Sequence, residues 1–465
     1  MREWIKEELS KVDIGDERLN KRYALLLERL ECKPSLSIPG ACKGWAETQA
    51  AYRFFGNSKV SKESILLPHI QATQERMRSH PVVLCVEDTS FVNHDGQKET
   101  PGLGPHTSEL EYGYFLHPLI AITPDKLCLG TLHLHSWVRD GKFGKRYERA
   151  KKPIEEKESQ RWIDGYRETS CLQQTMENTQ LVYMADRELD IYELFAEGLC
   201  GHADWLIRAI RNRKTIESNK IRDQLAKTNS LGEVTLKLSC QKKRKRRKAT
   251  LTIYSTPLCL VGPHRPHQKK LPNVPVTAIL AIEENPPANE EAVEWLLLTN
   301  MAISSLADAE EKLKWYTCRW QIEIFFNTLK SGCQIEKLQL ETRERLESAV
   351  ALYMIVAWRL LYIRTLNRLL PEISCEVIFE KEEWQAIYLI SGRRALPENP
   401  PSLNEATTMV AMSGGYLNRK HDSPPGVKVL WIGMQRLRDF IMGFNAAKNL
   451  LGGSLKDVCN DEPHE

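Results

Sequence analysis

Two aspartates stand where a buried strand should end. Residues 81–86, Pro-Val-Val-Leu-Cys-Val, read as a strand followed by Asp88, and residues 181–185, Leu-Val-Tyr-Met-Ala, as one followed by Asp186. A strand end holds its side chain on rigid backbone at the lip of a cleft. Carboxylate oxygens suit hard cations, where His and Cys would favour zinc. Asp also begins many turns, so neither residue decides anything alone. A third group lies in residues 315–330. At about 100° per helical residue, Tyr316, Arg319, Glu323 and Lys330 fall within roughly 60° of one another. Ile322, Phe325 and Leu329 are left to pack a neighbouring face. Spacing alone is met as well by a solvated stripe with an Arg–Glu pair worth a few tenths of a kcal/mol.

The surrounding elements must position these groups. The first sixty or so residues read as helical, with Asp16 capping a helix that carries Leu19, Tyr23, Leu26, Leu27 and Leu30, and a second helix over 50–55. This suits a small DNA-binding module offering Arg18 and Arg22 to phosphates, or two arginines that solvate one helix face. Strands follow at 81–86, 115–122 and 127–135, a helix at about 155–174, a strand at 181–185, a helix around 189–195 and a strand at 205–210. That order fits a ribonuclease-H-like α/β core, an order found in other α/β domains too. Residues 211–294 read as a β-rich insertion, with strands at 249–254 and 276–282, and a further strand follows at 295–299. The rest is largely helical. Leu430, Met434, Leu437, Ile441 and Phe444 repeat at a/d spacing after Pro424-Pro425-Gly426, a seam for a second helix or ordinary core packing. The expected division is 1–65, 66–365 with the insertion inside it, and 366–465.

Bulk properties set outer bounds. A chain of 465 residues suggests several domains, and a net charge of +4 does not announce a nucleic-acid binder. Its distribution says more: Lys242, Lys243, Arg244, Lys245, Arg246, Arg247 and Lys248 form an unbroken basic run, either tracking a DNA backbone or simply solvated. Twelve cysteines include no Cys-x-x-Cys pair and read as reduced thiols. The N-terminus lacks a signal-peptide core, and the apolar run 349–358 is about half a bilayer span. A cytoplasmic protein with a buried helix there, and no membrane partner, is expected. His133 and His135 alternate with leucines along a strand and read as structural.

With these residues in view, the sequence resembles the cut-and-paste DDE transposases of bacterial insertion sequences, the IS-four family, and within it the transposon Tn-five branch. Glu87-Asp88-Thr89-Ser90 is similar to the first acidic motif of that family and Asp186-Arg187-Glu188-Leu189-Asp190-Ile191 to the second. Tyr316-x2-Arg319-x3-Glu323-x6-Lys330 has the spacing of its Tyr-Arg-Glu-Lys signature. Trp295-Leu-Leu-Leu-Thr299, Gly15-Asp16-Glu17-Arg18, Tyr52-Arg53-Phe54 and the C-terminal helix extend the likeness over nearly the whole chain.

The resemblance implies that Asp88, Asp186 and Glu323 hold two Mg²⁺ ions, Mn²⁺ able to substitute, and cut and rejoin DNA. A transposon end would be nicked, closed as a hairpin, reopened and joined to target DNA. Tyr316, Arg319 and Lys330 would hold phosphates, Trp295 would stack an extruded base, and Arg208 and the basic run 242–248 would lie near DNA. The N-terminal region would bind the transposon end and the C-terminal region would make a homodimer. The sequence departs from the family at Asn327, where a lysine is expected, and at Leu19, which replaces a basic residue. A stand-alone nuclease of the same fold and a non-catalytic DNA-binding repressor are the alternatives.

Overall fold

The computed structural model describes residues 2–106, 111–139, 152–217, 219–238, 247–264, 270–288, 290–392 and 396–452. Its strands are β1 (Val82–Glu87), β2 (Ser90–Asn93), β3 (Gly104–Pro105), β4 (Tyr112–Ile122), β5 (Cys128–Trp137), β6 (Gln180–Ala185), β7 (Asp204–Arg208), β8 (Gly232–Leu238), β9 (Arg247–Leu260), β10 (Val274–Ile282) and β11 (Glu294–Thr299). Five of them form the core in the order β5-β4-β1-β6-β7. Here β4 runs antiparallel to β1 and β5, while β1, β6 and β7 are parallel. With helix Gln160–Gln173 leading into β6 and Tyr192–Glu197 into β7, the chain has a ribonuclease-H-like core.

Strands covered on both faces read as continuous apolar runs, and the side chains of β1 divide alternately between two cores. Leu84 and Val86 join one cluster, Val83 and Cys85 the other. Helices Lys62–Met77 and Arg343–Leu369 contribute to the first, Gln160–Gln173 to the second. The β-rich stretch is no separate unit. β11 pairs with β7, and β10, β9 and β8 follow antiparallel, so the insertion continues the same eleven-stranded sheet.

At the N-terminus, Asp16 caps helix Glu17–Cys32 by accepting the Arg18 N–H at 2.9 Å, and the second helix spans Gly44–Phe55. The apolar run 349–358 is the middle of helix Arg343–Leu369. That helix is long and apolar enough to cross a membrane, but 94% of its most apolar window is buried in the protein; it is a core helix.

The C-terminal seam divides. Leu430, Met434 and Leu437 are buried within this chain, where helix Val427–Gly452 packs on Leu403–Ser413 and Lys381–Ile390. Phe444 is exposed and stacks on Phe440. The first three positions therefore serve core packing. A buried charge cluster ties the two ends of the chain together: Glu31 is shared by Arg2 and Arg438, and Glu383 also meets both arginines.

The expected single helix through the signature is interrupted. Helix Leu306–Cys318, started by a Ser305/Asp308 capping box, gives way at Arg319 to Trp320–Asn327 and then to a π-turn, Thr328–Gly332. Arg319 itself keeps right-handed helical angles, φ −48° and ψ −34°. The wider π-turn alters the rotation that a uniform helix would give Lys330 relative to Glu323.

Candidate active site

The two aspartates are level. The parallel register of β1 and β6 runs from Val82↔Gln180 to Val86↔Met184, and two further residues on each strand lead to Asp88 and Asp186. Neighbouring strands lie about 4.8 Å apart, so both carboxylates emerge side by side at the C-terminal strand ends. Asp186 Oδ1 accepts the Glu188 N–H at 2.7 Å, and Asp88 Oδ1 accepts the Thr89 N–H at 2.8 Å. Across the sheet, Glu87 faces Leu119 and Ser90 faces Leu116, which leaves Pro118 opposite Asp88 and His117 opposite Thr89. Proline has no N–H to give a ladder, and the strand breaks between β1 and β2 at this point.

Glu323 reaches the same place from the helical side. Arg319 Nη1 lies 3.0 Å from Asp88 Oδ2 and Nη2 lies 2.8 Å from Glu323 Oε1, so one guanidinium bridges two of the three carboxylates. Burial pushes the Asp88 carboxyl up to about 6, and the nearby Asp186 and Glu323 charges push the same way. All three groups offer oxygen, the donor type Mg²⁺ and Mn²⁺ take. Their mutual repulsion is what a divalent cation would relieve, so the residues fit such an ion. Among the described residues no three ligating side chains yet converge to hold one. Arg319 occupies the gap between Asp88 and Glu323.

Beside the carboxylates, Tyr316 is buried and meets the Trp295 ring edge-on, centroids 5.6 Å apart. The Arg208 guanidinium lies 6.0 Å from the Trp295 ring centre, hydrogen-bonds the Glu294 carbonyl at 3.0 Å, and is joined to Tyr316 by a side-chain hydrogen bond. These three gather as one cluster. Lys330 instead donates to the Phe91 carbonyl and lies 3.4 Å from Glu336. Arg18 is exposed on the first long helix and Arg22 is half-buried there. Of the basic run, Lys242, Lys243, Arg244, Lys245 and Arg246 lie outside the described residues. Arg247 is ion-paired with Glu283 and Glu290, and Lys248 is exposed. His133 is half-buried and His135 exposed, stacked on Trp137. Sequence reasoning missed Trp320, 46% exposed and directly after Arg319. Its signal was an aromatic residue on the polar side of the signature. It gave no role to Glu87 or His117, fully buried polar residues behind Asp88.

A ribonuclease-H-like sheet with three acidic side chains brought toward one end of its parallel strands is the plan of a DDE phosphoryl-transfer enzyme. Residues 1–60 match the family model described as Transposase DNA-binding, residues 161–359 Transposase DDE domain, and residues 355–451 Transposase Tn5 dimerisation domain. In that order the three are those of a Tn5-type DDE transposase, and the chain belongs to that family. The DDE match contains Asp186 and Glu323 and begins beyond Asp88. Among solved structures, the chain shows a slight likeness to a piggyBac transposase synaptic complex with hairpin DNA. The TM-score is 0.35 at 9% identity, over 99% of this chain and 82% of that one. A DDE transposase cleaves and transfers DNA strands with the help of divalent metal.

Proposed function

We propose that this chain is an active cut-and-paste transposase in which Asp88, Asp186 and Glu323 are the metal ligands. The observation that carries the reading is the level placement of Asp88 and Asp186 on adjacent parallel strands, with Glu323 linked to Asp88 through Arg319. The three carboxylates would hold two Mg²⁺ ions, which supply Lewis-acid stabilisation of an in-line displacement at phosphorus. Arg319 would then exchange carboxylate contacts for phosphate oxygens, keeping its two parallel N–H donors in use. Tyr316 and Arg208 would place the DNA strand beside the reacting phosphate, and Lys330 would join them by releasing Glu336.

Each stage of the reaction is a displacement at phosphorus: a nick at the transposon end, attack of the freed 3′-hydroxyl on the opposite strand, reopening of that hairpin, and joining to target DNA. One site can therefore serve all of them. A hairpin bends the strand sharply and extrudes a base, for which Trp295 offers a stacking surface worth about 1–3 kcal/mol. Residues 1–65 would hold the transposon end, with Arg18 and Arg22 at phosphates, and residues 366–465 would pair two copies so that both ends are held together. The exposed Phe440–Phe444 face of the last helix suits that pairing. The protein would act in the cytoplasm, on the nucleoid.

The test is incubation of the full chain with Mg²⁺ and DNA carrying the repeats that flank its gene, beside a Glu323→Gln variant. Nicked ends and hairpins from the wild type alone are expected. DNA binding without cleavage by either protein would overturn the claim of an active enzyme.

A further inference from the structure

Directly behind Asp88 lies a group of polar side chains with no access to solvent. Glu87, the last residue of β1, points away from the cleft and is fully buried, as is His117 on β4. His117 Nε2 lies 3.2 Å from Glu87 Oε1, and neither atom makes a hydrogen bond elsewhere among the described residues. The other imidazole nitrogen, Nδ1, is hydrogen-bonded to Thr89 Oγ1 at 2.9 Å. Tyr183 on β6 donates its hydroxyl to Glu87 Oε2. The pocket is shaped for these groups. The Trp162 ring stands edge-on to His117 at 4.4 Å and 89°. Gly165 leaves room for the Glu87 carboxylate, since a Cβ there would lie 2.2 Å from Oε2.

A buried carboxylate is costly unless its partners are well placed, and a core at this position could have been apolar. These contacts lead toward the site. Thr89 is held by His117 through its side chain and gives its backbone N–H to Asp88 Oδ1 at 2.8 Å. Asp88 Oδ2 is thereby turned to the cleft, where it meets Arg319 at 3.0 Å. The backbone needs such a hold, because Pro118, opposite Asp88, cannot donate a ladder hydrogen bond.

We infer that Glu87 and His117 are positioning residues that act through Thr89 to fix the rotamer of Asp88, so that Oδ2 is presented to a divalent cation. The inference rests on the reading of Asp88 as a metal ligand. Outer-shell partners of this kind are worth about 10–100-fold in metal affinity.

The experiment is a titration of the full, DNA-free chain with Mn²⁺ alone, followed by the paramagnetic resonance of the unbound ion. Thr89→Val, Thr89→Ser and Glu87→Gln are compared with the wild type, and binding of the repeat DNA without metal serves as a check of fold. Thr89→Val keeps the volume of a half-buried side chain and should fold. It is expected to raise the Mn²⁺ dissociation constant about 10–100-fold, as is Glu87→Gln, while Thr89→Ser stays near the wild type and DNA binding is unchanged in all. Thr89→Val at wild-type affinity would overturn the positioning role while leaving the metal site standing. A wild-type chain that binds no Mn²⁺ would overturn both.

Discussion

Arg319 and Asp88 lie 231 residues apart in the chain and meet at 3.0 Å, and the same guanidinium holds Glu323 at 2.8 Å. The proposed metal site therefore carries a cation of its own in the Arg319 guanidinium. Replacing Arg319 with Ala should tighten Mg²⁺ binding to the DNA-free protein by about tenfold, since charge-assisted hydrogen bonds of about 1.5–3 kcal/mol no longer compete. Strand cleavage should fall in the same variant. Calorimetric titration checks the first outcome; weaker Mg²⁺ binding would show that Arg319 organises the site and does not compete for it.

Asp88 titrates at about 6 in the folded chain, from an ordinary value of 3.8, chiefly because it is buried. A carboxyl raised on folding contributes stability that is full below about pH 4 and is lost as the pH rises through about 6. At pH 7.5 without metal the charged group thus disfavours the fold, by roughly 3 kcal/mol before solvent screening. Asp88→Asn should raise the metal-free Tm by a few degrees at pH 7.5 and hardly at all at pH 4.5. Scanning calorimetry at both values decides it. Equal destabilisation at the two pH values would count against charge repulsion.

Trp295 meets Tyr316 edge-on and lies beneath Arg208. If it stacks an extruded base, Trp295→Ala should slow hairpin closure about 10–100-fold while the first nick proceeds, and Trp295→Phe should restore most of the rate. Denaturing gels of pre-nicked ends separate the two steps. A uniform loss of both nick and hairpin would assign Trp295 to packing alone.

How much of this could be read in the chain depended on range. The strand ends at Asp88 and Asp186 were legible because strands buried on both faces are runs of Val, Leu and Ile, and the acid marks where the run stops. Periodicity showed that Tyr316, Arg319 and Glu323 share a face. It could not show the interruption at Arg319 or the π-turn at Thr328–Gly332, because apolar spacing does not record which backbone hydrogen bond is skipped. The fusion of the insertion to the core, through β11 on β7, is a pairing between residues some ninety positions apart. Nothing local encodes it. Leu430, Met434 and Leu437 carried a seam pattern that serves a helix in trans or in cis equally, and here their own chain covers them.

The cluster of Arg2, Glu31, Glu383 and Arg438 gives a stability prediction. Each charge is nearly buried, and removing one partner leaves the others uncompensated. Arg438→Ala should cost about 3–5 kcal/mol, seen as a lower urea midpoint. A change within about 0.5 kcal/mol, the range of ordinary surface substitutions, would mean that the cluster relaxes into water.

Because one continuous sheet carries Arg208 on β7 and Trp295 on β11 and ends its β1 and β6 strands directly before Asp88 and Asp186, it works as a fixed gauge. Backbone pairing sets the span from the two aspartates to the Trp295 ring, strand by strand. A substrate with successive phosphates to be cut must then shift along the protein and distort to meet the gauge. Selection among the reaction stages would accordingly lie in how readily each DNA form bends, so that mismatches or breaks near the cleavage point should speed the slow stages without any change in the protein.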